Sequence, residues 1–180
     1  MAAFSADTDL QRQIDWQILQ HGAISRYQSP AVLAEDAEWL RAHGYRTYEF
    51  QCRDWVTMDA VHDDIARTLQ FPGWYGRNLD ALRDCLTDIV VPDDGGVALI
   101  LQSYDLFCTG FQQAALAILD IIEDGSRWRL LFGRRLVALV QTDDPELEFE
   151  RVGARPVTWN RREWLRAQRG LPPRPPIASE

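Results

Sequence analysis

The sequence predicts an α/β fold in which a small parallel sheet of three strands is covered by helices. Two apolar runs of strand length, Val97–Leu101 and Leu136–Gln141, lack polar alternation, as strands buried on both faces do. A third strand, Tyr45–Cys52, precedes them, and segments of helical period fill the intervals, in the order strand–helix–helix–strand–helix–strand. With 180 residues, 46% of them hydrophobic, and seven Trp, one sizeable core needs no disulfide or metal.

Taken in order, Trp16–Gln20 and Ala23–Tyr27 flank His21-Gly22 and suit a hairpin, although a helix over Leu10–Leu19 fits nearly as well. Ser29-Pro30 starts a helix, with Ser as N-cap and Pro at the first helical position, and His43-Gly44 ends it. Thr57 caps a helix over Met58–Leu69, whose inner face is Met58, Val61, Ile65 and Leu69. Phe71-Pro72-Gly73-Trp74-Tyr75-Gly76 is an aromatic loop bounded by breakers, and Asn78 caps the next helix, which runs to about Ile89. A further helix is expected over Gly110–Glu123, stopped by Asp124-Gly125. Near the C-terminus Asn160-Arg161-Arg162-Glu163 reads as a capping box opening a short basic helix, followed by the Pro-rich tail LPPRPPIASE. The organisation is an N-terminal strand or helix extension (1–44), a central domain (45–145) and a basic C-terminal segment (146–180).

Net charge is −8, and every one of the 19 basic residues is Arg. Residues 151–180 hold seven Arg and two acids, so the remainder carries −13. Such an acidic body repels nucleic acid and attracts basic proteins. The Arg-rich stretch Arg151–Arg174, interleaved with Trp159 and Trp164, is the opposing argument for nucleic acid. Three dispersed cysteines, Cys52, Cys85 and Cys108, read as free thiols in a reducing compartment. The N-terminus lacks the pattern of a signal peptide, and no long uninterrupted apolar stretch suggests a membrane span. The expected location is the cytoplasm.

The helix after Asn78 carries the pattern that points to function. Leu79, Leu82, Leu86 and Ile89 form one stripe, while Asp80, Asp84 and Thr87 share another face at i, i+4 and i+7. Trp74 and Tyr75 precede this face, and aromatics beside paired carboxylates suit a patch for a basic, concave partner. An ordinary solvated face is the alternative reading of the same residues. Other chemistry is poorly supported. His62-Asp63-Asp64 cannot converge on a metal from adjacent helical positions, and His62 with Asp59 supplies two ligands at most. Asp80 and Asp84, one turn apart, lack a cleft to act as an acid–base pair, Cys85 abuts the apolar stripe, and no phosphate-binding loop occurs. No catalytic residue, cofactor, metal or small-molecule substrate is expected.

The string FPGWYGRNLDALRDCLTD resembles the signature of the barstar family, which reads aromatic-Tyr-Gly-x-Asn-Leu-Asp-Ala-Leu-x-Asp-Cys-Leu. The resemblance spans about Tyr45–Asp144. It implies a three-stranded parallel sheet packed with helices, and an intracellular inhibitor that inserts its second helix and preceding loop into the basic active-site cleft of a microbial ribonuclease. It further implies that Trp74, Asn78, Asp80, Asp84 and Thr87 contact the nuclease, with Asp84 in the place of a substrate phosphate. This sequence departs from the pattern at three points. Arg83 stands where the prototype has Trp, Trp74 replaces Tyr, and the acid expected early in the third helix aligns weakly with Gln112. A barstar-like module serving another partner is the alternative that these departures keep open.

Overall fold

A computed structural model describes residues 13–172 of the chain. The helices are α1 (Ile14–Leu19), α2 (Pro30–Ala42), α3 (Met58–Leu69), α4 (Leu79–Asp88) and α5 (Tyr104–Leu130). The strands are β1 (Ile24–Tyr27), β2 (Tyr45–Gln51), β3 (Gly96–Gln102), β4 (Leu136–Gln141) and β5 (Thr158–Trp159). They form one all-parallel sheet in the order β2-β3-β4-β1-β5. The path from β1 to β2 runs across the sheet opposite to the steps β2 to β3 and β3 to β4. Right-handed crossovers therefore place α2 on one face and α3, α4 and α5 on the other. Alternation along β3 serves both layers. Val97, Leu99 and Leu101 join the core under α3–α5, while Ala98 and Ile100 join Leu33, Ala37 and Leu40 under α2.

The sheet has five strands, not the three expected. β1 falls in the Ala23–Tyr27 segment that suited a hairpin arm, but it lies in the main parallel sheet, its four residues Ile-Ser-Arg-Tyr all buried between β4 and β5. Arg26 is tolerated there because the Trp159 ring covers its guanidinium at 4.6 Å, and it donates to the Leu147 carbonyl. Burial still lowers its pKa to about 10. β5 has two residues, too few for any periodicity. No hairpin joins Trp16–Gln20 to Ala23–Tyr27, since Trp16–Leu19 belongs to α1. The buried Asp15 holds that helix down, accepting from the Tyr45 hydroxyl at 2.8 Å and from Arg135 at 3.0 Å. The Leu10 start of the alternative helix, and the tail beyond Pro172, lie outside the described residues.

α5 is longer than Gly110–Glu123 at both ends and breaks its helical dihedrals only at Phe111 (φ −141°, ψ 51°). Gly125 does not stop it. A Cβ there would meet Leu136 and Leu86 at 3.7 and 3.9 Å, so this glycine sits where α5, β4 and α4 approach one another. By length and composition α5 could cross a bilayer. Its Ile118, Leu119, Ile121 and Ile122 instead lie in the core beside Leu99, Leu101, Leu136 and Val140.

The C-terminal segment also differs from expectation. Asn160–Glu163 opens no α-helix, and a single 3₁₀ turn, Arg166–Arg169, follows. The Glu163 carboxylate accepts from the Asn160 side chain in its own segment and also from the backbone N–H of Gln28 at 3.1 Å and Ser29 at 2.7 Å, at the start of α2. Arg162 pairs with Asp36 at 2.7 Å on the same helix. The segment is thus a strap joining β5 to α2. Removing a buried acceptor that serves two backbone donors costs about 1–3 kcal/mol. Glu163→Ala is therefore expected to lower the urea midpoint without changing the slope, and an unchanged midpoint would show that the strap carries no stability.

Candidate protein-binding site

α4 is positioned from its buried side. Leu82, Cys85 and Leu86 are each no more than 3% exposed, packed with Ile118, Ile121 and Ile122 of α5. Asn78 caps the helix as expected, its Oδ1 accepting from the Ala81 N–H at 2.8 Å. With that face committed to the core, Asp80, Arg83, Asp84 and Thr87 are all exposed. The two carboxylates project from successive turns of one rigid surface. Thr87 donates its hydroxyl to the Arg83 carbonyl at 2.9 Å, which leaves the oxygen free to accept from a partner. Arg83 flanks the stripe on the same outer surface.

The loop before α4 divides its two aromatics. Trp74 is 69% exposed, whereas Tyr75 is buried. Tyr75 lies edge-on to Phe71 and His62, and its hydroxyl is 2.6 Å from His62 Nδ1. Of the two, only Trp74 offers its ring to a partner, while Tyr75 pins the loop to α3. A second anchor is Arg77, held at φ 52° and paired with Asp63 and Asp59 of α3. Gly76 permits the tight turn, because a Cβ there would press Asn78 at 3.2 Å and Ala81 at 3.4 Å. Beside Trp74 a groove of about 310 Å³ runs between Arg46 and Tyr48 of β2, Phe71 of the loop, and Asp88 and Val90 at the end of α4.

Gln112 is not gathered with these residues. It is exposed and lines a separate groove between α5 and residues 144–150, with Asp105, Asp144 and Glu148 and no residue of α4. The Arg/Trp interleaving of the C-terminal segment divides: Trp159 is buried, with Arg26 at 4.6 Å and Arg169 at 4.3 Å from its ring, whereas Trp164 is 53% exposed. Trp159 is therefore no open stacking platform. Cys85 is a core thiol whose pKa burial raises, the opposite of an activated nucleophile.

A family model described as Barstar (barnase inhibitor) matches residues 45–141. The chain belongs to the barstar family. A Bacillus subtilis (strain 168) protein named "Putative ribonuclease inhibitor YrdF" is similar to it, 39% identical over 72 residues, covering 40% of this chain and 76% of that protein. The barstar match takes in β2, β3, β4 and the three helices between them. β1, α2 and β5, although in or against the same sheet, lie outside it.

Sequence reasoning missed the supports of this barstar motif. His62 was weighed as a metal ligand, but its ring is turned inward to Tyr75, a pairing that no spacing rule announces. Burial, and then the nearby Arg77, push the His62 pKa below 6.5, against the opposing pull of Asp59 and Asp63. Neutral His62 accepts the Tyr75 proton, and burial raises the Tyr75 pKa to about 12, which keeps that proton in place. The unfolded chain then binds a proton more readily than the folded one. This contribution to stability is complete above about pH 6.5 and is lost as pH falls from there through the folded value. His62→Gln is expected to flatten that part of the profile. Urea titrations at pH 7.5 and 5.5 check it, and an equal pH loss in both proteins would remove His62 from the account.

Proposed function

We propose that this barstar-family chain is an intracellular protein inhibitor of a microbial ribonuclease and performs no catalysis itself. It would block the enzyme by presenting Asp80, Asp84 and Thr87, with Trp74 and Asn78 of the loop, to the basic active-site cleft. The observation that carries this reading is the exposed face of α4, where two carboxylates project side by side from a helix whose other side is buried. Nuclease clefts gather cations to hold phosphate, and carboxylates pre-aimed from a rigid helix satisfy those cations with little ordering cost. The name of the Bacillus subtilis relative supports the same partner class.

Barnase and other guanyl-type ribonucleases are the probes. Asp84→Ala is expected to weaken binding most among single changes, by on the order of 2–5 kcal/mol, as when a desolvated charged pair loses one partner. Calorimetry showing unchanged affinity would contradict the model. Association is also expected to be fast and salt-sensitive. Physiological salt shortens the Debye length to about 8 Å and should slow kon with little effect on koff. A kon indifferent to salt would mean that the −13 of residues 1–150 plays no part in capture.

Arg83 supports selectivity among targets. A guanidinium beside the carboxylate stripe repels a cleft with a basic rim and favours one with a facing carboxylate. Arg83→Trp should widen the range of nucleases bound while weakening the grip on the true target. Identical inhibition profiles across a panel of three ribonucleases would assign selectivity to other residues.

A further inference from the structure

The C-terminal end of α4 has an unusual hold. The last four carbonyls of a helix lack intrahelical partners, and Ile89 leaves the helix in extended geometry. Arg129, reaching from α5, fills two of these vacancies with one nitrogen, donating from Nη2 to the Leu86 carbonyl at 2.5 Å and the Thr87 carbonyl at 2.8 Å. The side chain is buried, forms no ion pair among the described residues, and leaves its Nε without a hydrogen-bond partner. Desolvation lowers its pKa, offset in part by the charge of Asp88. A buried cation without a carboxylate is a poor device for stability. At the negative end of a helix that carries Asp80, Asp84 and Asp88 one turn apart, it nevertheless offsets both the dipole and the mutual repulsion of the acids. It also grips the backbone of Thr87, whose side chain belongs to the proposed contact stripe.

We propose that Arg129 is a positioning residue for the inhibitory helix, fixing the pose of the α4 contact face without touching the partner. The proposal rests on α4 being the surface that meets the ribonuclease. It separates two functions of α5, whose apolar face builds the core while its one inward guanidinium aims the neighbouring helix. Arg134, near the end of the same structure, donates to the Val91 carbonyl beyond α4 and pairs with Asp93, and so serves as the control.

The experiment compares wild type, Arg129→Met, Arg129→Lys and Arg134→Met with barnase as probe, at a temperature where melting curves show every variant fully folded. Amide hydrogen exchange and binding kinetics are both read. Arg129→Met is expected to speed exchange selectively over residues 85–89 and to raise koff on the order of 10-fold, with kon and its salt dependence unchanged. Arg129→Lys should restore part of both, and Arg134→Met should change neither. Faster local exchange with unchanged koff would overturn the positioning role. So would exchange that rises equally in β3 and β4, or an Arg134→Met variant that behaves like Arg129→Met. Failure of the wild type to bind would instead overturn the reading of α4 as the contact helix, while the exchange data still report whether Arg129 holds it.

Discussion

A helix of ten residues with like charges at i and i+4 cannot sustain itself in water, because nucleation costs more than so few turns return. The structure of this protein is arranged around that constraint. Leu82, Cys85 and Leu86 tie α4 to the α5 side of the core, Asn78 closes its N-terminus, and Arg129 takes carbonyls at its C-terminus. Upstream, Tyr75 and Arg77 moor the loop to α3. What remains free is a strip of polar side chains and one exposed Trp. The supports bear the cost of crowding the charges, and the result is a preorganised anionic surface.

The sheet supplies the rigid base for that arrangement. β2, β3 and β4 coincide with the barstar match, and α5 packs on them as the platform against which α4 lies. β1 and β5 widen the sheet on the side away from β2, and the C-terminal strap links β5 to α2 through Glu163 and Arg162. This enlargement leaves the α4 face uncovered. Among the described residues of the basic segment, Arg162 pairs with Asp36 and Glu35 and Arg166 with Glu146, so these two charges find carboxylates within the protein.

Much of this was legible in the sequence where one physical rule dominates. Unbroken apolar runs identified β3 and β4, and side-chain caps located α2, α3 and α4. The two faces of α4 followed from helical period alone. The failures have equally specific causes. The Ala23–Tyr27 segment suited a hairpin arm, but its place inside the parallel sheet was not legible, because Arg26 is buried there through an aromatic cover that comes from residue 159, far along the chain. The capping-box reading of Asn160–Glu163 failed because the Asn160 N–H donates to the Arg26 carbonyl and its Oδ1 accepts from the Arg162 N–H, while the Glu163 carboxylate also serves Gln28 and Ser29. Gly125 looked like a helix stop but lies within α5, where a Cβ would make only ordinary contact with Leu136 and Leu86. At the site, the sequence grouped Trp74 with Tyr75, and only the packing distinguishes the exposed ring from the anchored one. Arg129 carried no local signal, because its partners are backbone atoms of another helix.

The central claim is that the partner meets the outer face of α4 and its loop. Amide hydrogen exchange of the chain, free and in complex with barnase, tests it without substituting any residue. The account predicts new protection concentrated over residues 73–88, with little change in the strap or in the groove beside Gln112. Protection confined to the strap, to the groove beside Gln112 or to the β5 edge, with residues 73–88 unaltered, would contradict it.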